Sequence, residues 1–423
     1  MTWVPRRGPG SGSAAATRSA GVPPDRHAGR RVVLAVVVVL LLGACLRAPI
    51  TSVGPLLGLI GEDTGLGNGL LGLLGAMPLL GFALVSPLIH APAARIGPER
   101  VVAAALLVLT AGIVLRSAPV PAGLWIGTAL VGCGIAVGNV LAPAIIKRDQ
   151  PGRIALVTAC FTATMGSFAA LASGLSVPLS DATGGGWRIP LGAWAVPVAL
   201  VATVWVVRSR GTRGLADVPV AAPVAGGGRA ATRSVWRSAG AWQVTVFMGV
   251  QSATFYIMAN WLPSVLIAAG TAPATAGWTL FLYHLVGIPS GLAVTRLMRR
   301  RTDLRAVAVG ISALIVVGAT GIALVPALSG LWVPLVAMGS GSSLVVALSL
   351  FGLRTRTAAE TAQLSGMAQS IGYLIAAAGP VLAGSVRDWT GSWTPVLGLI
   401  VAFAVSQAVI GLWAARPGYV QRG

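Results

Sequence analysis

Arg47 is the residue whose surroundings most need a chemical explanation. It lies in Leu46-Arg47-Ala-Pro49-Ile-Thr51-Ser52-Val-Gly54-Pro55, well inside the apolar run Val32–Ile60. At 1.5 Å per helical residue it stands roughly 22 Å from one end of that run and 20 Å from the other. An ionised group at membrane depth is costly, and is retained where it faces a polar cavity and binds something. Arg47, Thr51 and Gly54 stand at i, i+4 and i+7, on one helical face. Pro49 and Gly54-Pro55 interrupt regular helix and free backbone groups, which a polar lumen would have to satisfy. A guanidinium offers five donors in a fixed plane, suited to a small planar anion such as a carboxylate or a nitrate-like species. No Asp, Glu or Lys sits well within any apolar run, so the counter-ion expected here is the substrate itself. The competing reading is an arginine that snorkels to the interface, with the span ending near Ser52.

Other polar residues inside apolar runs are candidate substrate contacts. They are Asn139 in the Gly-rich fourth run, Gln251, Tyr256, Asn260 and Trp261 along the seventh, and Gln369 and Tyr373 one turn apart in the eleventh. The plainer role for each is interhelical hydrogen bonding, worth about 0.6 kcal/mol on average. His284, beside Tyr283, could titrate near neutral pH and serve proton coupling, or simply pack. His90 closes the second run as a gate residue. Cys45, Cys133 and Cys160 are isolated in apolar runs, and the three His are scattered. With no CxxC pair, phosphate loop or metal motif, neither an enzyme nor a bound metal or cofactor is expected.

The elements that must position these residues follow from composition. The 423 residues are 55% hydrophobic and only 9% charged, against roughly 25% charged in a soluble protein. Mean hydropathy is +0.84. A soluble enzyme, a disordered chain and a secreted disulfide scaffold are excluded on these grounds. A bilayer-spanning helix needs about 20 mostly apolar residues. Such runs occur at Val32–Ile60, Leu70–Ala91, Val101–Leu115, Leu124–Ile146, Ala155–Leu179, Pro190–Val207, Ala241–Ala269, Gly277–Met298, Ala306–Leu324, Leu331–Leu353, Ala362–Val386 and Thr394–Ala415. The reading is an all-α membrane protein with twelve transmembrane helices.

The Arg-, Gly- and Pro-rich stretch 208–240 divides the runs into six-helix bundles at 32–207 and 241–415. Residues 1–31 read as a disordered basic tail ahead of a signal anchor, and 416–423 as a short tail. Sliding one half over the other aligns Pro55 with Pro263, Lys147 with Arg354 and Gly166 with Gly372. That pattern suggests a duplicated unit, as in transporters built from parallel repeats. The net charge of +20 would suggest nucleic-acid binding in a soluble protein. Here 26 of the 30 Lys and Arg fall in the termini and alternate loops on one side. The other side holds only Arg116, Arg188 and Arg387, which leaves Arg47 alone within a span. By the positive-inside rule the basic side is cytoplasmic, both termini included, and the inner membrane is the expected location.

The stretch Leu46-Arg47-Ala-Pro-Ile-Thr-Ser-Val-Gly-Pro-Leu-Leu57 resembles the first helix of the cyanate and nitroimidazole transporter family of the major facilitator superfamily. Further matches are Gly138-Asn139 through Pro143-Ala-Ile-Ile-Lys147-Arg148, Asn260-Trp261-Leu262-Pro263, and Gln369-Ser-Ile-Gly372 through Gly379-Pro380. The resemblance implies a single-chain permease, functional as a monomer, for small anions or small nitrogen-containing molecules, with Arg47 at the substrate. The superfamily's loop pattern after the second helix is partly kept. Arg95, Gly97 and Arg100 fit it, but Ala94 replaces the usual Asp and His90 the usual Gly, so the standard gating salt bridge is in doubt. The function expected is transport of such a substrate by alternating access. A nitroimidazole-type or multidrug efflux transporter is the rival, and a transport-like receptor without flux is the rival from another class.

Overall fold

The computed structural model describes residues 26–211 and 235–420, except Gly185 and Arg300. The expected tail over 1–25, the middle of the linker (212–234) and residues 421–423 lie outside the described residues. Every described element is helical. Twelve long helices are numbered in chain order: α1 Arg26–Thr51, α2 Asn68–Val85, α3 Pro98–Ser117, α4 Gly123–Asp149, α5 Ile154–Ala182, α6 Ala195–Gly211, α7 Ala239–Ala268, α8 Pro273–Met298, α9 Arg305–Leu324, α10 Ser329–Leu353, α11 Ala358–Thr390 and α12 Thr394–Ala414. Short helices at Leu57–Thr64, His90–Ile96 and Arg188–Gly192 lie between them. One boundary differs from expectation, since helix α1 includes Arg26, inside the stretch read as tail. Its break after Thr51 falls where Pro49 and Gly54-Pro55 were expected to interrupt the helix, and the apolar segment runs on to Thr64.

Eleven segments are long and apolar enough to cross a membrane. The twelfth long helix, α7, has the length but carries Gln251, Ser252, Thr254 and Asn260, and is buried on nearly every face from Ala241 to Leu266. A helix enclosed by other helices need not present an apolar surface to lipid, so its polar residues can be retained by internal packing.

Local signals set several helix starts. Pro98 opens α3 after Gly97, whose φ of 89° suits glycine. Thr357 caps α11 by accepting from the Glu360 amide at 3.2 Å, while Glu360 accepts from the Arg356 amide at 2.8 Å. Charges at the basic end stay within their own bundle. In the first, Arg148 pairs with buried Glu99 and with Asp149, and Arg208 pairs with Asp149. In the second, Arg354 donates to the carbonyls of Ala414 and Gly418.

The bundles meet through α2 against α11 and α5 against α8. At the end opposite the basic one, Leu56, Leu57, Ile60, Leu71 and Leu74 share a buried cluster with Ile257, Leu262, Ala383 and Val396 of the second bundle. Asp388, near the end of α11, accepts from the Asn68 amide (3.1 Å), the Asn68 side chain (2.7 Å) and the Gly69 amide (2.8 Å). A carboxylate borrowed from another helix thus satisfies the first amides of α2 and complements its dipole. Backbones touch here, since a Cβ on Gly72 would lie 2.2 Å from the Pro380 carbonyl and one on Gly384 2.1 Å from that of Asn68. This far end is closed, and these are the only hydrogen bonds between bundles among the described residues.

Gly384→Leu should therefore prevent far-end closure. The check is labelling of Ser385→Cys, in a background without the three native cysteines, by a membrane-impermeant thiol reagent from the far side. Labelling should rise strongly with Gly384→Leu and moderately with Asp388→Asn.

Candidate substrate site around Arg47

The site begins with the break in α1. The Val53 amide bonds to the Ile50 carbonyl at 3.2 Å, so the Pro49 carbonyl loses its helical donor. Pro55 has no amide to offer Thr51, and the Leu56 amide turns to Val53 at 3.0 Å, leaving Ser52. Each freed carbonyl is taken by a side chain from a neighbouring helix. Arg116 Nη1 of α3 donates to Pro49 O (2.9 Å), Ser173 Oγ of α5 to Thr51 O (3.3 Å) and Ser176 Oγ to Ser52 O (3.1 Å). The expectation that a polar lumen must satisfy these groups is thereby corrected. Arg116, expected in a far-side loop, is a fully buried part of the first bundle, only 1% exposed. Arg47 is not the one basic residue within the helical core.

Thr51 also departs from expectation. Its hydroxyl donates to the Ala169 carbonyl of α5 (3.0 Å) and to Arg47 O (3.2 Å). It ties α1 to α5 rather than facing a substrate. Gly54 serves contact between bundles, because a Cβ there would lie 2.2 Å from the Ala259 carbonyl of α7.

Arg47 is half-buried and makes no side-chain hydrogen bond or ion pair among the described residues. Its guanidinium lies over the Phe255 ring of α7, 5.3 Å from the centroid. Phe255 in turn contacts Tyr256 (5.1 Å), Tyr283 (5.9 Å) and His284 (5.8 Å). Tyr256 and Tyr283 therefore stand against the ring that the guanidinium covers. Tyr373 of α11 packs edge-on to Phe82 of α2 at 5.5 Å. Buried His284 Nε2 has no hydrogen-bond partner among the described residues, which calls for an explanation, while the buried Tyr283 and Ser340 hydroxyls face each other.

The remaining candidates divide. Gln251, one turn from Phe255, is buried and donates to Ser252 Oγ at 2.7 Å. Gln369 is half-buried and donates to Ser365 Oγ at 2.9 Å. Asn139 is half-buried on α4, and none of the three hydrogen-bonds Arg47 among the described residues. Asn260 packs against Gly75 of α2, and Trp261 Nε1 donates to Pro380 O of α11 at 3.0 Å. Asn260 thus reaches the first bundle, with Nδ2 buried and without a hydrogen-bond partner among the described residues, whereas Trp261 joins two helices of the second bundle. Arg95 and Arg100 are exposed and form no ion pair among the described residues, while the His90 side chain lies outside them. Phe82, Phe255, Tyr283 and Ser340 were missed from sequence. The adjacent pairs Phe255-Tyr256 and Tyr283-His284, in a chain with 6% aromatics, were the signal available.

Two six-helix bundles meeting at a half-buried, unpaired guanidinium define a multi-pass membrane transporter. The chain belongs to the Major Facilitator Superfamily, whose family model matches residues 39–380, and within it to the cyanate and nitroimidazole transporter family. It is 38% identical over 389 residues to the 2-nitroimidazole transporter of Escherichia coli, covering 92% of this chain and 97% of that one. It is 27% identical to the cyanate transport protein CynX of the same organism, covering 84% and 90%. In fold it is similar to a bacterial homologue of the lysosomal transporter Spinster, with a TM-score of 0.75, 16% identity and coverage of 93% and 98%.

Thr51→Val should leave ligand affinity within about twofold while costing about 1 kcal/mol of stability, the worth of a typical hydrogen bond. Phe255→Ala should shift affinity by about 0.5–2 kcal/mol, the range of a cation–π contact. Calorimetric titration and thermal unfolding of the purified variants check both.

Proposed function

We propose that the protein carries a small planar anion, or a small electron-rich nitrogen compound, across the cytoplasmic membrane by alternating access. The observation that carries this reading is the Arg47 guanidinium, unpaired and resting on the Phe255 ring of the opposite bundle. With no carboxylate paired to it among the described residues, the substrate supplies the negative or electron-rich partner, and a planar group meets both the donor fork and the aromatic wall. Tyr283, His284 and Ser340 then hydrogen-bond the substrate from the second bundle. Coupling to a proton gradient through His284 is the other role for that residue.

In this reading residues 32–207 and 241–415 are the rocking bundles and the basic end, with both termini, faces the cytoplasm. Closure at Asp388 then corresponds to an inward-facing state, the state named for the Spinster homologue. The chain acts as a monomer and as a carrier without catalytic chemistry. A second reading, efflux of flat nitroimidazole-like molecules, draws on the aromatic wall and on the relative named for 2-nitroimidazole.

The test screens purified protein by thermal shift against cyanate, nitrate, nitrite, short carboxylates and 2-nitroimidazole, then measures flux in proteoliposomes. Binding of a planar probe with saturable flux is expected. Arg47→Ala should abolish both, and Arg47→Lys should lose at least about tenfold in affinity by losing the bidentate fork. Binding without flux would make the protein a receptor, and full flux in Arg47→Ala would reduce Arg47 to an interface anchor. An imposed pH gradient that drives uptake in wild type but not in His284→Gln would assign proton coupling to that residue.

A further inference from the structure

We propose that Arg116 is a positioning residue for the Arg47 site: by holding the Pro49 carbonyl it fixes the break in α1 and so sets where the Arg47 guanidinium stands. The inference rests on the reading of Arg47 as the substrate-binding group.

Three observations carry it. Arg116 is 1% exposed, and Nη1 donates at 2.9 Å to the carbonyl of a residue two positions from Arg47. Nε and Nη2 have no hydrogen-bond partner, and no salt bridge to Arg116 occurs among the described residues. A buried guanidinium without a carboxylate is an expensive way to satisfy one carbonyl. Serine hydroxyls do the same work for Thr51 and Ser52.

The reason for an arginine is reach from a rigid base. Helix α1 packs along α4, α5 and α6, whereas α3 meets the break through this long side chain. The Arg116 backbone is pressed against Gly127 of α4, where a Cβ would lie 2.3 Å from the Arg116 amide nitrogen. The anchor is therefore the tight α3–α4 pair. Ser52 Oγ shares the same carbonyl at 3.4 Å, so the Pro49 carbonyl is held by one donor from α3 and one from the turn itself. Without that pin the last turn of α1 can rotate, and Arg47 moves with it.

The experiment uses the full chain in lipid nanodiscs with Arg116→Met, Arg116→Lys and, for comparison, Ser176→Ala. Hydrogen exchange of peptides spanning 46–58 reads the break directly. Titration with nitrate and with 2-nitroimidazole reads the site. For Arg116→Met, faster exchange at the Ser52, Val53 and Leu56 amides is expected, with affinity weakened about tenfold or more, the scale of one charge-assisted hydrogen bond. Arg116→Lys, which keeps one donor for the Pro49 carbonyl, should return both readouts to within about threefold. Ser176→Ala, which frees only the Ser52 carbonyl from a neutral donor, should weaken affinity less than Arg116→Met does.

Unchanged exchange over 46–58 in Arg116→Met overturns the proposal. So does wild-type affinity in that variant, or equal defects in Arg116→Lys and Arg116→Met, which would mark a packing residue. If Arg116→Met does not fold, Arg116→Gln takes its place in the same comparison. If wild type binds neither probe, the reading of Arg47 fails, and the exchange measurement alone decides whether Arg116 holds the break.

Discussion

A helix broken inside a bilayer leaves carbonyls that no water can reach, and each must find a donor. That requirement governs the first bundle of this transporter. Pro49 and Pro55 make the break unavoidable, and the carbonyls of Pro49, Thr51 and Ser52 are taken by Arg116, Ser173 and Ser176. With those bonds in place α1 is fastened to α3 and α5. Arg47 is then presented from a fixed turn toward the second bundle. The polar character of the Thr51-Ser52 segment is used up in holding the backbone, which leaves the guanidinium as the free polar group of this turn.

The opposing surface is aromatic. A guanidinium over a phenyl face gains about 0.5–2 kcal/mol, while each hydrogen bond to an anion is worth about 1.5–3 kcal/mol. Two such bonds outweigh the ring contact, so an anion can take the guanidinium from Phe255 while its flat face stays against the ring. The Arg47–Phe255 contact spans the two bundles, and its replacement by substrate is therefore felt by both. Closure at the far end depends on different physics: backbones touching at glycines, an apolar cluster, and the Asp388 carboxylate over the first amides of α2. The site and the closed end can thus respond separately to substrate and to bundle movement.

The burial of α7 links these features. It supplies Phe255 and Tyr256 to the site, Ala259 to the contact with Gly54, and Trp261 to the bond with Pro380. A helix with so many internal duties has little surface left for lipid, and it is the long helix absent from the eleven segments apolar enough to cross a membrane.

Much of this was legible from residue order. Long apolar runs mark the spans because hydrocarbon admits only satisfied backbone, and the Arg-rich loops separate the two ends because cations are costly to translocate. Arg47 was legible because a charge within an apolar run stands out against its neighbours. The direction of its neighbours was not. Thr51 shares a helical face with Arg47 in the linear reading, yet its hydroxyl is drawn to the Ala169 carbonyl of α5. Asn260 and Trp261 read as site residues, yet pack toward α2 and α11. Arg116 read as a loop residue because it stands at the end of an apolar run, whereas its side chain folds back into the bundle. By itself the sequence determined the long apolar helices and the presence of Arg47 within one of them, since these depend on hydrophobicity and spacing along the chain. Only the tertiary structure decided which carbonyls and rings the polar groups meet, because those partners come from helices far apart in the chain.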